Sequence, residues 1–432
     1  MSLATHGLPF TKLSKALPAP VLQELLVYYG YPISYKGLND VAAIVTDISF
    51  YKYWVCGDGY SNPGHPEYAT TVAIIQGVRS AGTKVYGYVP IGQSTQGLSV
   101  SVIQSRIDEW FNIGVDGIFL DEFGFDYGNT RAKQIQIVNH VRSLGLPLCA
   151  NTWTAQDFLA DNVSELPWGS GDWRYNNFVT YNPDNLPLLR DKKDSMLMEN
   201  FCFDHNGPMG VFDVQELCSL TTALAASKSI NIWALAVFGE SAPGVPDVTK
   251  LGSSGNLTNA GAYIAANAYI YGITVVGTGG YSFGSNGTPI RAPLPRLPAA
   301  ATAAETTFID NYVTGEASRS FGNVLVTVKN LTTQSFSVST TLANSESFDN
   351  MSKTANITIS PSVMGQYTTT VTDYSFIPGM LVNAAVVPNS EHDSDDLTDV
   401  GLIAIAVNGG VEFTLSTNGI LVGTYKVLYN KG

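Results

Sequence analysis

The sequence predicts an α/β chain, a (β/α)8 TIM barrel followed by a C-terminal β-sandwich domain. Three observations predict it. Short apolar runs alternate with helical segments through the first 280 residues. The helical period then disappears. Between the two textures lies a proline-rich stretch. With 432 residues, the chain exceeds the roughly 250 that a barrel uses, which leaves room for a second domain.

The apolar runs are Leu25–Tyr31, Ala42–Ile48, Lys84–Pro90, Gly117–Phe123, Pro147–Trp153, Met196–Phe201, Asn231–Phe238 and Ile273–Gly279. Each is apolar at nearly every position, as parallel strands covered on both faces are. Between them, Ser99–Asn112 places Val102, Ile103, Ile107 and Phe111 near helical spacing, and Thr130–Leu144 does the same with Ile135, Ile137, Val138 and Val141. A doubly wound open sheet is the rival, and eight units in regular alternation favour the barrel.

Residues 1–20 read as an N-terminal extension and 21–287 as the barrel. Residues 288–316 read as a stiff connector containing Pro289, Pro293, Pro295 and Pro298. From 317 to 432, segments such as VLVTVKN, LIAIAVNG and VEFTLST alternate with Asn, Gly, Ser and Asp, the pattern of a β-sandwich. An accessory role is expected of this part: glycan binding, attachment to a larger assembly, or shielding of the barrel.

Only 14% of residues are charged, and the net charge is −13. No basic field exists to hold phosphates, so nucleic acid is excluded as a partner. No run of about 18 apolar residues appears, so membrane insertion is not expected. The low-charge, Ser/Thr/Asn-rich composition points to an extracellular, cell-surface or virion-associated setting. The start lacks the continuous apolar stretch of a secretory signal. Cys56, Cys149, Cys202 and Cys218 show no metal spacing and read as buried thiols; no cofactor or metal is expected.

The chemistry gathers at strand ends. Gly117–Phe123 closes on adjacent Asp121 and Glu122, and Met196–Phe201 carries Glu199 near its end. In a barrel, catalytic side chains sit where strands end. Two carboxylates across a barrel mouth are the minimal equipment for glycoside hydrolysis. Successive strand residues face opposite sides, so Asp121 and Glu122 need not share an environment; helix capping is the alternative for one of them. Aromatics collect near the same ends, and Tyr28, Tyr29, Tyr88, Trp153 and Trp233 are candidates to stack on sugar rings. Asn151 and Asp47 are candidate polar contacts.

These motifs carry a resemblance. Asn62-Pro63-Gly64, Tyr68, the segment IIQGVRSAGTKVYGYV and the segment IDEWFNIGVDGIFLDEF resemble the spherulation-specific (spherulin four) family. That resemblance covers about Leu25 to Phe201 and more weakly extends to residue 280. It implies a galactosaminogalactan-hydrolase-like barrel with Asp121, Glu122 and Glu199 as the acids. The family's Ser-Gly-Pro-Gly loop is Ser61-Asn62-Pro63-Gly64 here, and its Asn-Pro-Gly after the fifth strand is Asn151-Thr152-Trp153. The function expected is an endo-acting glycoside hydrolase on an amino-sugar-containing extracellular polysaccharide. The alternative is a non-catalytic glycan-binding surface or phage tail protein.

Other signals are weaker. Glu240 and Asp204-His205 follow strands, and Glu391–Asp396 is an acidic run without calcium-loop spacing. Asn330 and Asn356 head Asn-x-Ser/Thr sequons of the kind that chance supplies.

Overall fold

The structure is a computed structural model. It describes residues 21–252, 255–284 and 288–298. Beyond these it describes mainly the strand segments 308–311, 314–322, 324–332, 335–342, 353–372, 382–387, 401–407 and 410–431. The N-terminal extension and the acidic run at 391–396 lie outside the described residues.

Eight parallel strands close into a barrel: β1 (Gln23–Tyr28), β2 (Tyr53–Cys56), β3 (Lys84–Pro90), β4 (Gly117–Asp121), β5 (Leu148–Asn151), β6 (Ser195–Glu199), β7 (Asn231–Phe238) and β8 (Val275–Gly280). Each pairs with its neighbour in sequence, and β8 pairs with β1. Helices α1 (Val41–Ile48), α2 (Tyr68–Ser80), α3 (Val100–Ile113) and α4 (Arg131–Ser143) follow the first four strands. Helices α5 (Gln156–Leu159) and α6 (Trp173–Tyr181) lie between β5 and β6, with α7 (Val211–Ser227) and α8 (Leu257–Tyr271) after β6 and β7.

One predicted strand is a helix. Ala42–Ile48 forms most of α1, capped by the Asp40 carboxylate on the Ala43 N–H at 2.8 Å, a cap of about 1 kcal/mol. Its buried residues are Ile44 and Ile48, one helical turn apart. A seven-residue apolar run fits either period, and here the cap decides. The true second strand is the four-residue Tyr53–Cys56. Helix α3 is where the sequence places it, but it buries Ile103, Ile107, Trp110 and Ile113, leaving Val102 and Phe111 exposed.

Along each strand alternate side chains enter the barrel. The interior core contains Leu25, Val27, Val55, Tyr86, Phe119, Cys149, Leu197, Trp233, Leu235, Val237 and Val275. All four cysteines are free and buried.

The proline-rich stretch packs against the barrel. Ile290 and Ala292 are buried, the Ala292 N–H donates to Thr278 Oγ1 at 2.9 Å, and Arg291 pairs with Glu24 at 2.6 Å. Gly261 on α8 permits this close approach, since a β-carbon there would lie 1.9 Å from the Pro293 carbonyl oxygen.

The described C-terminal strands are antiparallel. They do not divide from the barrel at 317. The chain forms two compact units, 1–297 with 303–341, and 298–302 with 342–432. The first unit includes a four-stranded sheet of 308–311, 316–321, 324–332 and 335–342. This sheet is bound to α7 and α8. Phe336 stacks on Tyr263 at 4.1 Å, and the Asp310 carboxylate accepts from Gln215 and Ser219, each at 2.6 Å. Asn330 is buried and accepts from the Tyr263 hydroxyl, so this sequon is covered in the folded chain. In the second unit, 353–372, 382–387 and 401–407 all pair with the long strand 410–431.

Candidate active site

The period of two that fills the barrel also builds its mouth. Tyr86 on β3, Phe119 on β4, Cys149 on β5 and Leu197 on β6 point inward. Two residues further along those strands come Tyr88, Asp121, Asn151 and Glu199. Four adjacent strands thus end their inward stripe in polar groups.

These groups form one network. The Asn151 side-chain nitrogen donates to Asp121 Oδ1 at 2.8 Å and to Glu199 Oε2 at 2.9 Å. Carboxylates only accept, which sets the orientation of the amide. The Tyr88 hydroxyl donates to the other Asp121 oxygen, Oδ2. Tyr88 is itself placed by Trp110, whose indole N–H donates to the Tyr88 carbonyl at 2.9 Å. Gly87 makes room for that indole: a β-carbon there would meet the ring at 2.3 Å. Tyr29 packs edge-on against Tyr88, with ring centroids 4.9 Å apart, and also lies on Phe283.

Both bonds come from one nitrogen, at 2.8 and 2.9 Å, so Asp121 Oδ1 and Glu199 Oε2 stand no more than about 5.7 Å apart. Amide N–H bonds splayed by about 120° would set these two oxygens about 5 Å apart.

Their environments differ. Burial pushes Glu199 up to about 7; the single Asn151 bond opposes this and the nearby Asp121 charge adds to it. Burial also raises Asp121, but bonds from Tyr88, Asn151 and the backbone N–H of Glu122 all favour its ionised form. Three donors against one make Asp121 the better carboxylate and Glu199 the better acid.

Each acid is the last residue of its strand. The next residue is left-handed in both cases, Glu122 at φ 54° and Asn200 at φ 59°. Asn tolerates this readily; for Glu it stores on the order of 1–3 kcal/mol. The kink ends the strand and turns Glu122 away from the Asn151 bridge. Its carboxylate accepts from Thr95 on the loop after β3.

Three sequence candidates are corrected. Tyr28 is out of phase with the inward Val27 and Tyr29; it is fully buried against Tyr35, with centroids 5.2 Å apart. Asp47 sits on α1 and not at a strand end, ion-paired with Lys36 at 2.7 Å. Trp233 points inward but lies below the mouth, buried against Tyr53 and Tyr86, two residues before the Leu235 that pairs with Glu199. Glu240 braces loops, accepting from Ser282 and the Gly244 N–H.

Trp153 is 62% exposed and rims a cavity of about 330 Å³ beside Glu199 and Asn151. The same cavity is lined by residues that the sequence reading passed over, among them Tyr127, Trp168 and Trp173. Tyr127 faces the acids, and its hydroxyl is pushed up to about 12 by burial, then by the charges of Asp126, Asp121 and Glu199. Trp168 lies on a loop, Tyr127 closes a short turn and Trp173 opens α6, so no periodicity marks them; the one visible signal is the cluster Trp168-Gly-Ser-Gly-Asp-Trp173-Arg174. Asp204, singled out in the sequence, also lines the cavity. Among the described residues, no group of three or more His, Cys, Asp or Glu side chains could hold a metal ion, and no helix is long and apolar enough to cross a membrane.

No family model matches the chain, and no curated protein matches it. Solved structures similar to it include the glycoside hydrolase domain of PelA from Pseudomonas aeruginosa, 11% identical with a TM-score of 0.35, over 63% of this chain and 99% of that one. The endo-β-N-acetylglucosaminidase from Cordyceps militaris is 13% identical with a TM-score of 0.34, over 63% and 87%. The 7,8-dihydropteroate synthase from Vibrio fischeri is 12% identical with a TM-score of 0.33, over 62% and 89%. These are proteins of unlike chemistry, and residue roles in this chain rest on its own geometry.

Proposed function

We propose that the protein is an endo-acting glycoside hydrolase that cleaves an amino-sugar-containing extracellular polysaccharide, with Asp121 and Glu199 as its catalytic pair. The observation that carries the reading is Asn151, which holds two half-buried carboxylates of unlike environment on one amide at a barrel mouth. A separation of about 5 Å belongs to retaining enzymes, whereas inverting ones need about 6.5–9.5 Å for a water molecule.

In the proposed reaction, the Asp121 carboxylate attacks the anomeric carbon while Glu199 gives its proton to the departing glycosidic oxygen. The C–O bond to the leaving sugar breaks as the bond to Asp121 forms. Glu199, now ionised, takes a proton from water; the resulting hydroxide displaces Asp121 and restores both groups. The Tyr88 hydroxyl orients Asp121. Exposed tryptophans beside the acids suit the apolar faces of sugar rings. The amino-sugar polymer is supported by the motif resemblance.

The test is a reducing-end assay on bacterial and fungal exopolysaccharides, wild type against Glu199→Gln. New reducing ends that disappear in the variant support the reading. Saturable glycan binding without new ends would make the protein a non-catalytic glycan receptor.

A further inference from the structure

Beyond Asp121 the chain is held by side chains. The Asn129 side-chain nitrogen donates to the Glu122 carbonyl at 2.6 Å and to the Gly124 carbonyl at 3.3 Å. Between them, Gln134 Nε2 donates to the Phe123 carbonyl at 2.7 Å. Three successive carbonyls are thus taken by the start of α4, where Asn129 precedes the cap residue Thr130 and Gln134 lies one turn in. Asn129 and Gln134 are fully buried. Arg131 donates to Gln134 Oε1 at 2.8 Å, and also to the Asp157 and Ala160 carbonyls beyond β5, at 3.0 and 2.8 Å. Lys133 donates to the Ile91 carbonyl just past β3, at 2.8 Å. One buried helix start therefore ties down the chain beyond three adjacent strands, those that carry Tyr88, Asp121 and Asn151.

The arrangement is costly. Asn129 Oδ1 is buried with no hydrogen-bond partner among the described residues. Packing alone would be served better by an apolar residue of that size. What the amide holds is the strained turn: Glu122 stands at φ 54°, which a Glu side chain disfavours. The same turn sets β4 against β5, because the Phe123 N–H donates to the Asn151 carbonyl at 2.9 Å.

We propose that Asn129, with Gln134 beside it, is a positioning residue for the reaction: it holds the left-handed turn after β4 so that Asp121 meets its bonds from Tyr88 and Asn151. The inference rests on Asp121 being the nucleophile of the proposed hydrolase.

The test compares two variants of the full-length protein. Asn182→Ala is the control. It removes another buried amide, bonded to the Asp161 and Leu186 carbonyls on a loop that lines neither the acids nor the cavity. Asn129→Ala should lower kcat on exopolysaccharide about 100-fold, the effect of moving a catalytic group by about 1 Å. KM should change less than about threefold, since substrate contacts stay in place. Asn182→Ala should lower the melting temperature and leave kcat alone. Adding Glu122→Gly to Asn129→Ala should restore about tenfold of the loss or more, because glycine takes the left-handed turn unaided. A kcat loss no larger than that of Asn182→Ala, or no rescue by glycine, overturns the proposal. If Asn129→Ala does not fold, Gln134→Glu replaces it. That variant keeps the acceptor for Arg131 and loses the donor to Phe123, and a loss of about tenfold, again rescued by glycine, is expected. A second measurement needs no turnover: the Asp121 carboxyl is titrated by carbon-13 NMR. In Asn129→Ala its midpoint should move to higher pH, because bonds that favour the ionised form are lost, and Glu122→Gly should bring it back. The groups that titrate around Asp121 (Tyr29, Tyr88, Tyr127 and Glu199) are unchanged in these variants. That shift supports the positioning role even if the wild type cuts nothing, a result that would sink the hydrolase reading alone. An Asp121 midpoint that stays in place overturns the positioning role and leaves the hydrolase reading intact.

Discussion

The two halves of the barrel mouth obey the same rule and end differently. On β3 to β6 the inward stripes close on Tyr88, Asp121, Asn151 and Glu199. On β1, β7 and β8 they continue as Val27 and Tyr29, Leu235 and Val237, and Gly277 and Gly279. One half is a hydrogen-bonded set of acids; the other is an apolar wall. The pleat sets direction, and only the residue at the last inward position decides whether a strand contributes packing or chemistry. The apolar half also matters to the acids, because desolvation is the largest cause of the raised pKa of Glu199.

The sharpest break of this asymmetry is at Glu199. Glu199→Gln keeps the shape and the Asn151 bond but removes the proton, and activity on polysaccharide should fall on the order of 10³-fold. Retained reducing-end release would remove Glu199 from the chemistry. The wild-type rate should also fall as pH rises through about 7, where Glu199 loses its proton. Stability follows the same group. Its folded pKa lies above the unfolded value of about 4.3, so the folded state binds the extra proton between the two. Stability is therefore lost as pH rises from about 4.3 to about 7. A urea-melt series over that range should show the loss in the wild type and not in Glu199→Gln.

Asn151 comes next, because it joins the two acids. Asn151→Ala removes a donor from each, and misplacing paired groups by about 1 Å costs about 100-fold. Since the Asn151 bond lowers the pKa of Glu199, its loss should also move the alkaline limb of the pH profile upward. A kcat/KM profile whose limb stays in place would reduce Asn151 to packing. Tyr88→Phe removes a single bond to a charged oxygen, worth about 1.5 kcal/mol, so roughly tenfold in rate. Its limb is the acid one: Asp121 becomes easier to protonate, and activity should fail at a higher pH on the low side.

Legibility in the sequence followed length and phase. Seven of the barrel strands were visible as apolar runs, but Tyr53–Cys56 has only four residues and gives no period to read, while Ala42–Ile48 satisfies both periods and needed its Asp40 cap to be resolved. Because that run is a helix, Asp47, a candidate polar contact on sequence grounds, lies on α1 and away from the barrel mouth. Asp121, Asn151 and Glu199 were legible because strand ends are conspicuous. Tyr28 and Trp233 were misplaced because an aromatic near a strand end does not declare its phase or its depth. The sheet of 308–342 reads like its C-terminal neighbours along the chain; that it belongs with the barrel is decided by partners distant in sequence, such as Tyr263 for Phe336.

The smallest expected effect is at Glu122, and it tests the phase rule most directly. Asp121 and Glu122 are adjacent carboxylates at one strand end, and the sequence favours Asp121 over Glu122 as the partner of Glu199. The structure separates them: Asp121 enters the Asn151 bridge, while Glu122 turns away at φ 54° to a hydroxyl on the loop after β3. Glu122→Gln keeps an acceptor for Thr95, so kcat should change less than about threefold, within the effect of one exposed neutral hydrogen bond. Asp121→Asn, one residue earlier, should be as inactive as Glu199→Gln. Glu122→Gly adds a second reading, since glycine relieves the left-handed backbone and should raise stability by up to about 1 kcal/mol if the lost Thr95 bond does not offset it. If Glu122→Gln proves as inactive as Asp121→Asn, with an unchanged melting temperature, the kink does not separate the two acids, and the pair at the end of β4 has to be treated as one catalytic unit.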